Sequence, residues 1–88
     1  LPRVDDAPAT ALTRWLAAQA EARGGTGVLD DALAMERLGE AARTALAQLA
    51  GGAGRAAVDI PFISAGPKGP VHLRLDVTPD VVEALGAG

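Results

Sequence analysis

Two alternating runs, joined by a turn rich in glycine and proline, constrain the fold of this chain most. Apolar residues recur at every second position in both runs, a period that predicts β-strands. They are Val58, Ile60 and Phe62 in the first run and Val71, Leu73, Leu75 and Val77 in the second. The segment 65–70 between them favours a turn, so we expect an antiparallel β-hairpin. Pro61 has no N–H to donate and should lie at a sheet edge or a bulge.

A first helix is predicted ahead of the hairpin, over residues 9–23. Asp6 is its candidate N-cap, Pro8 is tolerated in its first turn, and the pair Gly24-Gly25 should end it. Its apolar stripe consists of Leu12, Trp15, Leu16 and Ala20. These positions follow helical spacing, so one face of the helix should be buried.

A second helix should start after an N-cap, Asp30 or Asp31, and run to about Ala50, where glycines follow. Its apolar positions fall at steps of three and four, and the small ones would allow the first helix to approach closely. They are Met35, Leu38, Ala42, Ala45 and Leu49. Gly39 lowers the stability of the helix by about 1 kcal/mol relative to alanine, so this helix should depend on packing against its neighbours.

A short third helix is expected after the hairpin, with Thr78 as N-cap, Pro79 at its first position and Asp80 at the positive end of the helix dipole. Its inward-facing residues should be Val81, Val82 and Leu85. The expected fold class is therefore α+β. Two helices pack on an antiparallel β-hairpin or small sheet, and a short C-terminal helix follows.

Length and charge narrow the possible functions. The 88 residues suffice for one small domain, here 1–88, and the absence of cysteine excludes disulfides and thiolate metal sites. The net charge of −3 and the two aromatic residues, Trp15 and Phe62, speak against nucleic-acid binding. No apolar run approaches the roughly 20 residues of a membrane span, so no membrane association is expected. Because the chain starts at Leu1, we expect a fragment of a larger protein.

No catalytic, cofactor-binding or metal-binding residue is predicted from the residues themselves. His72 is the single histidine, and without a second ligand or an orienting partner we expect a structural or surface role. Asp30 and Asp31 could suggest a cation site, but a helix cap explains them without further assumptions. The clusters 24–27 and 51–54 follow helices, where glycine ends a helix, and neither has the spacing of a phosphate-binding loop.

Three stretches of the sequence carry a resemblance to a known family. The segment 59–65, Asp-Ile-Pro-Phe-Ile-Ser-Ala, and the segment 69–73, Gly-Pro-Val-His-Leu, resemble a pattern of the Hsp70 (DnaK) chaperone family. Residues 35–49 resemble a helix that precedes it there, and the likeness extends over roughly 9–86. It implies subdomain IIB of an actin-like ATPase domain, a lobe that covers the adenine and ribose. It also implies ATP or ADP with magnesium in the parent protein, a nucleotide-exchange factor and the other subdomains as partners, and a cytoplasmic location.

The second helix departs from the family where nucleoside contacts are implied. Arg43 stands where the family has a glutamate, Leu46 where it has a lysine, and Ala50 where it has a serine. Each lost hydrogen bond is worth about 0.5–1.5 kcal/mol. No ligand-contacting residue is therefore carried over from the family.

Three functions remain open at this point. The first is the nucleotide-clamping lobe of an Hsp70-like ATP-dependent chaperone, which is not active alone. The second is a divergent Hsp70-like lobe that acts as a protein-interaction module without tight nucleotide binding. The third is an unrelated α+β interaction module.

Overall fold

The computed structural model of this chain describes residues 7–87, so the cap predicted at Asp6 lies outside the described residues. The helices are α1 (Ala7–Ala22), α2 (Ala32–Ala50) and α3 (Pro79–Ala87), and a 3₁₀ turn (Val28–Asp30) precedes α2. The strands are β1 (Ala56–Gly66) and β2 (Gly69–Val77). The α+β class and the order of elements are as the sequence predicts.

The ends of the helices have local causes. Gly24 follows α1 with φ +106°, and Gly52 follows α2 with φ +100°, a left-handed conformation that glycine adopts without steric cost. Asp31 is the N-cap of α2, because its Oδ1 accepts hydrogen bonds from the backbone N–H groups of Leu33 and Ala34, both at 3.1 Å. The structure thus selects Asp31 over Asp30 as the cap.

The strands pair antiparallel as a two-stranded sheet, and the register is interrupted once. Ile60 lies opposite Leu73, and Ser64 lies opposite Val71. Three residues of β1 therefore lie opposite one residue of β2, His72, which makes this a β-bulge. The bulge contains Pro61, in agreement with the prediction from its missing N–H.

The bulge corrects one prediction. Strict alternation puts Phe62 on the same face as Ile60 and puts Ile63 on the other. In the structure Phe62 is 65% exposed, and Ile63 is buried. Phe62 has φ +54°, in the left-handed region, and this turn of the backbone moves the next side chain to the core face. Alternation failed here because the bulge adds residues to one strand only.

One core lies between the helices and the inner face of the hairpin. Its buried members are Leu12, Leu16, Ala17, Ala20, Val28, Ala34, Leu38, Ala42, Ala45, Ala56, Val58, Ile60, Ile63, Val71, Leu73 and Val77. Half-buried side chains pack against it, among them Trp15, Met35 and Leu49 from the predicted stripes and Val82 and Leu85 from α3. The burial of Gly39 and Ala42 shows that α1 and α2 approach closely, as their small residues allow.

The outer face of the hairpin carries two exposed ion pairs. Arg74 Nε lies 3.8 Å from a carboxylate oxygen of Asp59, and Arg55 Nη1 lies 3.8 Å from one of Asp76. Exposed pairs of this length contribute little to stability, so the hairpin depends on the helices beneath it.

Candidate functional site

A groove of about 350 Å³ lies between the C-terminal end of α2 and the start of α3. Its lining consists of Leu46, Leu49, Ala50, Pro79, Val82 and Glu83. Among these residues Glu83 carries the one charge, and the others offer apolar surface. The groove can therefore make dispersion contacts with a flat apolar group, and it presents no cation to a phosphate.

The structure separates the three positions at which the family carries polar groups. Leu46 and Ala50 line the groove, but Arg43 lines a different cleft of about 580 Å³ between α1 and α2. Its Nη1 lies 3.4 Å from the position that a Cβ on Gly39 would occupy. The side chain of Arg43 thus folds back over the preceding helical turn, and it does not contribute to the groove.

The bulge in β1 is held in place by hydrogen bonds to side chains of two other elements, α2 and β2. Arg37 of α2 donates from Nη2 to the carbonyl oxygen of Pro61 at 2.6 Å and from Nη1 to that of Phe62 at 3.0 Å. The backbone N–H of Phe62 donates to Nδ1 of His72 at 3.0 Å. The rings of Phe62 and His72 also meet edge to face, with centroids 4.8 Å apart.

These contacts define the role of His72. A neutral imidazole that accepts at Nδ1 carries its proton on Nε2, so the ring is anchored to the bulge and keeps a free donor. The ring is exposed on the outer face of β2. This arrangement serves the structure of the hairpin, and among the residues described no carboxylate binds the ring and orients it as a base.

Three large apolar side chains are exposed among the residues that the structure describes. They are Leu29 at 57%, Leu33 at 66% and Phe62 at 65%. Leu33 lies one turn before Arg37 on α2, and the guanidinium of Arg37 binds the backbone of Phe62. Leu33 and Phe62 therefore flank the same arginine. Exposed apolar residues that lie together indicate an interaction surface.

Sequence reasoning missed two of these residues. Arg37 lies in the stretch that resembles the family, but nothing in its spacing reveals that it reaches the hairpin. The exposure of Phe62 could have been suspected from Pro61, because proline within a strand signals a bulge after which alternation changes face.

The remaining candidates of the sequence have structural explanations. Oδ1 of Asp31 is used by the cap of α2, and the glycine clusters end helices. Over residues 7–87 no group of three or more histidine, aspartate or glutamate side chains is placed to hold a metal ion. Within the same range no helix has both the length and the apolar character needed to cross a membrane.

Comparison with known proteins identifies the family. No protein-family model matches the chain. A chaperone protein dnaK of Thalassiosira pseudonana is 37% identical over 75 residues, which cover 85% of this chain and 12% of that protein. The chain therefore spans about an eighth of the length of this relative. On this evidence the chain belongs to the Hsp70 (DnaK) family.

Proposed function

We propose that this chain is the nucleotide-clamping lobe, subdomain IIB, of an Hsp70-like ATP-dependent chaperone, and that it is not active alone. Residues 1–88 would then form one subdomain of a longer protein, as their 12% share of the dnaK relative suggests. The observation that carries the proposal is the groove at the C-terminal end of α2, where the family resemblance implies the nucleoside. A cytoplasmic location is part of the proposal and rests on the resemblance alone.

The groove suits a purine base better than the rest of a nucleotide. Leu46, Leu49 and Val82 offer apolar surface against which the face of a base can pack. Of the residues that the structure describes, no lysine, arginine or hydroxyl group lines the groove for the phosphates, and the one carboxylate in this set, Glu83, does not make a magnesium site. ATP and its magnesium would be held mainly by other subdomains of the longer protein, and this lobe would cover the base.

This assignment predicts that the protein binds ATP weakly and that substitutions in the groove can strengthen the binding. In the full-length protein, L46K together with A50S restores the polar groups that the family carries at these positions. Two hydrogen bonds of about 0.5–1.5 kcal/mol each should tighten ATP binding about tenfold. The measurement is a calorimetric titration with ATP and magnesium.

A matched control is A47K, which adds the same charge on α2 at an exposed residue outside the groove. It should leave the ATP affinity unchanged. If neither the native protein nor the double variant binds ATP at high protein concentration, the clamping role is wrong, and the protein-interaction alternative remains.

A second function is favoured by the exposed residues Leu29, Leu33 and Phe62. We propose that they form a docking surface for a nucleotide-exchange factor on the outer side of the lobe. Substitution L33S in the full-length protein should reduce the acceleration of ADP release by an exchange factor of the DnaK system. The control A47S should not alter it. Unchanged acceleration with both L33S and F62S would refute this surface.

A further inference from the structure

A cleft of about 630 Å³ lies between the end of α1 and the turn of the hairpin. Residues 22–24 form one wall, and residues 66–72 form the other. The volume falls within the range of about 300–1,000 Å³ that is common for ligand pockets. The cleft lies at the turn end of the hairpin, whereas the groove proposed for the nucleoside lies at its open end, so the two are separate.

The lining of this cleft is cationic and apolar. It includes Arg23 and Lys68, and no aspartate or glutamate of the described part of the chain lines it. The lining also includes the exposed apolar surfaces of Pro67 and Pro70. The cleft thus has a positively charged lining in a chain whose net charge is −3. A ligand that fits the lining carries negative charge beside apolar groups.

The two walls are held in a fixed relationship. Thr26 donates from Oγ1 to the carbonyl oxygen of Ala65 at 3.1 Å, and Ser64 donates from Oγ to the carbonyl oxygen of Thr26 at 3.2 Å. Gly66 lies so close to the carbonyl of Gly24 that no Cβ fits between them. The cleft is therefore formed before any ligand binds, which reduces the entropy cost of binding.

The donors around the cleft are also oriented. Arg23 donates from Nη1 to the carbonyl oxygen of Gln19 at 3.0 Å and to its Oε1 at 3.2 Å, which leaves the rest of the guanidinium available. His72 lines the cleft, and its Nδ1 accepts from Phe62, so Nε2 carries a proton and is a further donor. Arginine, lysine and histidine donors around apolar walls match carboxylates on a peptide.

We propose that this cleft binds an acidic peptide segment of a partner protein, with carboxylates on Arg23 and Lys68 and apolar or proline residues between them. The exposed proline surfaces favour a peptide over a free phosphate, which needs polar donors on all sides. The cleft is thus a docking site separate from the nucleoside groove, and it adjoins the surface that contains Phe62 through the contact between the rings of His72 and Phe62.

The test measures fluorescence anisotropy of a labelled octapeptide of alternating glutamate and proline, titrated with the full-length protein. The double variant R23Q/K68Q should weaken binding about tenfold, because two charge-assisted hydrogen bonds are lost. The variant K68R keeps the charge and should bind like the native protein. Rising salt should weaken binding to the native protein, since the contacts are exposed.

Two controls make the result specific. R74Q removes the same charge on the outer face of the hairpin, outside the cleft, and should leave the affinity within about twofold, as for an exposed pair. An octapeptide of alternating glutamine and proline should bind the native protein far more weakly. The proposal is overturned if both peptides bind equally, or if R23Q/K68Q binds the acidic peptide as tightly as the native protein.

Discussion

The backbone N–H of Phe62 donates a hydrogen bond to Nδ1 of His72, 3.0 Å away, and this contact spans the single bulge of the hairpin. Phe62 is held in the left-handed region, at φ +54°, which is costly for an aromatic residue. Its carbonyl oxygen is bound by Arg37 as well. Both backbone polar groups of Phe62 are thus satisfied by side chains from other elements, and these contacts offset the strain.

Removing the imidazole should loosen the bulge. In H72A the N–H of Phe62 loses its acceptor, and the loss of one neutral hydrogen bond should destabilise the hairpin by about 0.5–1.5 kcal/mol. Hydrogen exchange at residues 61–64, measured by mass spectrometry, should become faster. H72N can place an oxygen near the position of Nδ1 and should recover part of the protection. Equal exchange in all three proteins would show that the hydrogen bond is not formed.

Arg37 should matter more for stability than its partial exposure suggests. R37A removes two hydrogen bonds between α2 and the bulge and should cost about 1–2 kcal/mol. R37K should recover less than half of the stability lost in R37A, because an ammonium group cannot match the fork of the guanidinium. The matched control is R43A, since Arg43 makes no hydrogen bond or ion pair with the residues described. Urea unfolding measures the difference, and equal midpoints for R37A and R43A would contradict the prediction.

Asp30 and Asp31 provide a direct comparison of neighbouring carboxylates. D31A removes the acceptor for the N–H groups of Leu33 and Ala34 and should destabilise the protein by about 0.5–2 kcal/mol. In D30A the cap at Asp31 remains, and the change in the free energy of unfolding should stay within about 0.5 kcal/mol. Thermal unfolding of the two variants checks this. A larger loss of stability in D30A than in D31A would show that Asp31 is not the cap of α2.

Gly66 should not tolerate any side chain. A Cβ at this position would collide with the carbonyl of Gly24, so G66A must push the loop after α1 away from the hairpin. Overpacking against backbone costs about 1–3 kcal/mol, and the acidic-peptide cleft should lose its shape. G54A is the control, because a Cβ at Gly54 has no neighbour within 4 Å. Urea midpoints should fall for G66A and not for G54A.

Much of the fold could be predicted because its signals are local. Gly24 and Gly52 end helices through their own backbone conformations, and Asp31 caps α2 through N–H groups two and three residues away. The candidate groove was harder to predict from the sequence. The resemblance grouped Arg43 with Leu46 and Ala50, but Arg43 turns toward Gly39 and leaves the groove without a cation. The direction of a long side chain depends on neighbours that are distant in sequence.

By itself, the sequence determined the types and order of the helices and strands and the glycines that follow α1 and α2, because hydrophobic period, helix caps and turn residues act within a few positions. It also carried the Hsp70 resemblance, in a pattern of residues around the hairpin. Only the tertiary structure decided which face Phe62 and Ile63 occupy, since the register between the strands depends on Arg37 and His72, which lie 25 and 10 residues from Phe62. It likewise decided that Arg23 and Lys68 share one cleft, because that requires α1 and the hairpin turn to pack together.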